Sequence, residues 1–309
     1  MKRWLAGICV LLLMLGAAFA EETEIPDGIE YVDEIIFEVT YLDGTMTGET
    51  ILPPVDTEPS EKPEQATYRE VSPGVPMAQP GLARDLPPAS ERYCDSQEFG
   101  IRNGSRDLKR VAVTVDDCYE IDKVQAVFDL CREYSIRVTF FPLGDQLKTK
   151  DSELWRAIAA SDCEIGSHTM HHTKMTDMSR SGMNIHLYRF QEVLDETLGY
   201  HYGVVSMRPP FGDIRNEDGN LNRTVVSNCK NFGYEHVVLW DVSQTDFAKA
   251  KKAVKNGSIL LYHARAKDVK CLEELIPWLV EEGYELVTVR ELLEFDYIET
   301  SVELYVHQK

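Results

Sequence analysis

The sequence contains no Cys-x-x-Cys pair, so a thiolate zinc site is not expected. After the N-terminus no apolar run approaches the roughly 20 residues that a membrane span needs. Basic residues are scarce: 32 Lys and Arg stand against 52 Asp and Glu, a net charge of −20. So acidic a chain lacks the electrostatic footprint of a nucleic-acid or anionic-lipid binder. Histidine is also sparse at eight residues, which gives weight to the three that fall between His168 and His172.

The N-terminus has its own pattern. Lys2-Arg3 precedes an apolar run from Trp4 to Leu15, and Ala18-Phe19-Ala20 closes it. This is the layout of a secretory signal peptide over residues 1–20, cleaved after Ala20. The expectation is an exported protein, secreted or held at the cell surface, with no membrane span after cleavage. Six cysteines then remain, enough for up to three disulfides in an oxidising compartment. The alternative is that several are ordinary small buried residues.

Charge and proline divide the rest. From Glu21 to Asp107 there are 20 acidic and 6 basic residues, and prolines recur from Pro53-Pro54 to Pro87-Pro88. Such composition reads as an extended linker with little structure. One stretch resists that reading: Glu34 to Tyr41, then Asp43-Gly44, then Thr45 to Leu52 suggests a β-hairpin. Residues 108–295 alternate short apolar runs with helical spacing, and residues 296–309 form a tail. The runs predict strands at Val111–Val115, Val138–Phe141, Glu164–Gly166, Val204–Met207, His236–Trp240, Ser258–Tyr262 and Tyr284–Val287. Strand–helix alternation implies a parallel sheet, and its closure an α/β barrel with chemistry at the C-terminal strand ends.

Four motifs fall at or just after such ends. Asp116-Asp117 follows the first strand; if the chain stays extended there, the two carboxylates face opposite ways and can do different work. His168 and His172 are four residues apart, which on a helical turn would aim both rings at one cation. With Asp117 they make a two-histidine, one-carboxylate set suited to a divalent metal such as zinc, cobalt or iron. His171, the third ring, is expected to be structural or to support the others. Arg208-Pro209-Pro210-Phe211-Gly212 is stiffened by two prolines; it can hold Arg208 on a carboxylate and offer the Phe211 N–H to an oxyanion. His263 ends a strand too apolar to face water and is placed to donate a proton, with Asp246 available to tune it.

In this order the motifs resemble those of the polysaccharide deacetylases with a NodB-homology domain, carbohydrate esterase family 4. Thr114-Val115-Asp116-Asp117-Cys118 is similar to the family's T-F-D-D-G, His168 to His172 to H-[ST]-x-x-H, and Leu261-Tyr262-His263 to L-x-H. Arg208 to Gly212 stands for the third motif, and Ser243 to Phe247 keeps only part of the fourth. The resemblance spans roughly Leu108 to Phe295. It implies a distorted, seven-stranded (β/α) barrel. It implies a metal held by Asp117, His168 and His172, with Asp116 as base and Arg208 positioning it. It also implies His263 as acid, Asp246 tuning that acid, and Phe211 N–H at the oxyanion. The expected substrate is an acetylated glycan, peptidoglycan first, with zinc the leading metal. An O-acetyl esterase of xylan type and a silent glycan-binding module are the competing readings. Cys118 in place of glycine, and Ser243 and Phe247 in place of aspartate and tryptophan, depart from the pattern.

Overall fold

The computed structural model describes residues 91–295. The signal pattern, the hairpin around Asp43-Gly44 and the tail at 296–309 lie outside the described residues. Strand β1 is Gly100–Ile101, β2 Arg110–Asp117, β3 Thr139–Pro142, β4 Glu164–Ile165, β5 Val237–Val238, β6 Ile259–His263 and β7 Glu285–Leu286. The helices are α1 Ile121–Tyr134, α2 Ser152–Ala159, α3 Arg180–Leu198, α4 Arg223–Phe232, α5 Phe247–Ala253, α6 Ala266–Glu281 and α7 Val289–Leu293.

The β2 sequence is apolar and β-branched at successive positions because both of its faces are covered; all but its first residue are buried. It is the centre of a parallel sheet in the order β4-β3-β2-β6, with β7 paired to the start of β2. Single bridges carry the sheet round toward closure. Ser167 pairs with Met207, the Val238 N–H donates to the Met207 carbonyl at 2.8 Å, and Val242 pairs with Leu260. The result is a distorted α/β barrel. Helices outside it bury regularly spaced faces, as α1 does with Val124, Val127, Phe128 and Cys131. Parallel register brings the C-terminal strand ends to one rim: Asp116 lies opposite Phe141 of β3 and His263 of β6.

The strand expected at Val204–Met207 is reduced to one bridge, and the count of seven is restored by β1, upstream of the expected boundary at Leu108. Residues 91–107 are therefore part of the fold. β1 runs parallel to β5, Phe99 and Ile101 are buried, and the Gly104 N–H donates to the Gly257 carbonyl at 2.8 Å. Gly257, at φ +72°, must be glycine; a Cβ there would lie 2.4 Å from the Ser105 carbonyl oxygen. Burying Phe99 and Ile101 is worth roughly 3–6 kcal/mol together at about 1.5–3 kcal/mol per side chain. A chain cut before Leu108 should therefore lose that much stability in urea, whereas one cut before Glu91 should not. Equal unfolding midpoints for the two cuts would contradict this.

The six cysteines, Cys94, Cys118, Cys131, Cys163, Cys229 and Cys271, are all buried free thiols. The expectation of up to three disulfides gives way to that of small core residues. No helix among the described residues is long and apolar enough to cross a membrane.

Candidate active site

The first carboxylate, Asp116, is still in β2 and points at Arg208. Its Oδ1 lies 2.6 Å from a guanidinium nitrogen of Arg208, which is fully buried. The same guanidinium donates to Thr114 Oγ1 at 2.5 Å, to the Val238 carbonyl at 3.3 Å and to the Leu239 carbonyl at 3.1 Å. It also stacks 4.6 Å from the centre of the Phe141 ring. A planar five-donor group is needed for that many acceptors in one plane, and lysine has no equivalent.

Asp117 is the last residue of β2, and there the backbone leaves the extended conformation. Its φ is +62°, as is that of Cys118, and the Cys118 N–H closes a tight turn on the Asp116 carbonyl at 2.7 Å. This left-handed turn, rather than strand alternation, separates the two carboxylates. Cysteine thus occupies the conformation that glycine would adopt without strain. The Cys118 thiol is buried and lies 3.7 Å from the Val115 carbonyl; burial and the neighbouring charges of Asp116 and Asp117 push its pKa well up.

Asp117 Oδ1 lies 3.5 Å from Nε2 of both His168 and His172. The histidines do not sit on a helical turn. The chain from His168 to His172 is a loop, with Thr169 at φ +65° and the Thr169 hydroxyl donating to the His171 carbonyl at 2.9 Å. The Gly144 and Asp145 N–H groups anchor it by donating to the Thr169 and Met170 carbonyls. His168 is buried, and its Nδ1 donates to the Arg208 carbonyl at 2.7 Å, which turns Nε2 toward Asp117. Burial pulls the His172 pKa down; Asp117 pulls it up, and His168 works with burial. Burial works against ionisation of Asp117, but contact with His168 and the charges of His168, His172 and His263 hold its pKa below the usual value.

Asp117 Oδ1 is buried and accepts no hydrogen bond. An orphaned carboxylate oxygen facing the Nε2 atoms of two imidazoles fits a cation. Asp117, His168 and His172 form the set that could hold a metal ion among the described residues. His171 turns away: its Nδ1 lies 3.2 Å from Asp145, and its side chain is half-exposed.

Phe211 stands at φ +61° in the turn Pro210–Gly212, and its exposed ring packs edge-on against His172 at 4.2 Å. Its N–H donates to no group among the described residues. His263 ends β6, with its side chain about one-third exposed. Its partner is Asp268, not Asp246. Asp268 Oδ1 accepts the His263 N–H at 3.0 Å and lies 3.7 Å from Nδ1. Asp246 instead caps α5, accepting from the Lys249 N–H at 3.0 Å. The chain turns back after β6, so a residue in the first turn of α6 reaches the histidine. Asp268 raises the His263 pKa; burial opposes this, and Asp116 and Asp117 reinforce it. Arg265 is a second residue that sequence reasoning missed; its guanidinium donates to Asp117 Oδ2 at 3.1 Å.

Residues 103–237 match the family profile for polysaccharide deacetylase. The chain is similar to that family over this segment. It is 29% identical over 206 residues to a peptidoglycan-N-acetylglucosamine deacetylase of Bacillus cereus, covering 61% of this chain and 90% of that one. It is 27% identical over 196 residues to the peptidoglycan-N-acetylmuramic acid deacetylase PdaC of Bacillus subtilis, covering 60% of this chain but 39% of the relative. A solved structure of a family 4 pseudoenzyme from Bacillus anthracis aligns with a TM-score of 0.56 at 19% identity, over 64% of this chain and 70% of that one. That likeness shows the deacetylase fold alone; the fold can outlive the activity, so the polysaccharide deacetylase reading of this chain rests on its site residues.

Proposed function

We propose that this protein is an exported, metal-dependent polysaccharide deacetylase that removes N-acetyl groups from peptidoglycan sugars. The observation that carries the reading is the orphaned Asp117 Oδ1 facing two imidazoles, beside a separately held Asp116 and a protonatable His263. A bound divalent cation, with zinc the fitting choice for this donor set, would supply Lewis acidity to the acyl oxygen and to water. Asp117, His168 and His172 would hold it. Asp116, aimed by Arg208, takes the proton from the attacking water. The Phe211 N–H donates to the developing oxyanion. His263 gives its proton to the departing amine as the carbon–nitrogen bond breaks, leaving acetate and a free amino sugar. Export is supported by the N-terminal pattern and the peptidoglycan preference by the named relatives.

The test is acetate release from peptidoglycan fragments, chitooligosaccharides and acetylated xylan. Release from the first above the others is expected; release from xylan alone would make the protein an O-acetyl esterase. Binding of glycans without any acetate would make it a binding module.

The Asp268 contact sets the basic limb of the pH profile. His263 acts while protonated, and Asp268 extends the protonated range upward. Asp268→Asn should therefore move the basic limb to lower pH, while Asp246→Asn leaves it in place. A shift with Asp246→Asn and none with Asp268→Asn would reverse the assignment.

A further inference from the structure

The two oxygens of Asp117 have different surroundings. Oδ1 faces the imidazoles of His168 and His172 and accepts no hydrogen bond, whereas Oδ2 takes the Arg265 guanidinium at 3.1 Å. Arg265 is not a packing residue, since its side chain is half-exposed while Asp117 is buried. Its backbone is fixed in the turn that carries His263. The Arg265 N–H donates to the His263 carbonyl at 2.8 Å, and the Arg265 carbonyl accepts from the Asp268 and Val269 N–H groups at 3.0 Å. One turn thus aims a cation at the carboxylate ligand and seats the acid histidine.

A carboxylate can bind a cation through one oxygen or two. We propose that Arg265 is a positioning residue that occupies Oδ2 of Asp117 and so restricts Asp117 to one-oxygen ligation, keeping coordination positions open for water and substrate. The inference rests on the metal reading of the site. It assigns Arg265 a role toward a ligand rather than toward the reacting atoms, the kind of outer support that orients metal-binding side chains.

The test is the visible absorption of the cobalt(II)-loaded full chain, whose ligand-field bands weaken as coordination number rises. Arg265→Ala and Arg265→Met free Oδ2, and Met keeps the aliphatic stem if Ala impairs folding. Both should bind cobalt with weaker visible bands than wild type, and kcat should fall by roughly 10–100-fold, the scale of lost outer support at metal sites. Arg265→Lys should restore much of the band intensity. Superimposable spectra in wild type and both variants would overturn this role, and a rise in KM alone would place Arg265 on the substrate instead. A wild-type protein that takes up no cobalt would overturn the metal reading and this inference together.

Discussion

Replacing Arg208 with methionine should cost about 3–5 kcal/mol of stability, the scale for breaking a buried ion pair from one side. The guanidinium is fully buried and serves Asp116, Thr114 and two backbone carbonyls at once. Methionine would fill much of the volume and supply none of the donors, leaving the Asp116 carboxylate and the carbonyls of Val238 and Leu239 without them. Arg208→Lys should also be costly, because one ammonium cannot reach all four acceptors. The double variant Arg208→Met with Asp116→Asn should recover part of the loss, since it removes the stranded charge. Urea unfolding of the three variants decides the matter. A single Arg208→Met variant within about 1 kcal/mol of wild type, below the range for a broken buried pair, would mean that the pair does little for the fold.

The second large effect falls on turnover. Asp116→Asn and His263→Ala should each lower kcat by roughly 100-fold or more, about 2.7 kcal/mol of barrier. Neither residue belongs to the set that could hold a metal ion, so metal content should survive both substitutions. Their separation is built into the barrel: the two residues lie opposite each other on adjacent parallel strands, at the same rim. If Asp116→Asn stays active while Asp117→Asn keeps its metal, the two aspartates exchange roles.

Much of this site was legible in the sequence because the barrel turns order along the chain into proximity at one rim. The β2 and β6 runs are apolar enough to specify buried strands, and their ends carry Asp116, Asp117 and His263. The misread parts share a physical cause: they depend on turns. Thr169 is β-branched at positive φ, which local spacing cannot reveal, so His168 and His172 looked helical. Asp246 and Asp268 both sit at helix starts, and only the path of the chain after β6 decides which one reaches His263. Arg265 belongs to no motif. The upstream boundary did leave a signal: the proline punctuation stops at Pro88, just before the described fold begins, rather than at Leu108.

The most direct measurement is the metal content of purified wild-type protein beside Asp117→Ala, His168→Ala, His172→Ala and His171→Ala. The expected result is a bound divalent ion in wild type, retained in His171→Ala, whose ring faces Asp145, and lost from the other three. Full metal in His172→Ala with loss in His171→Ala would contradict the ligand set, and a wild-type protein that holds no divalent ion would contradict the metal-dependent chemistry itself.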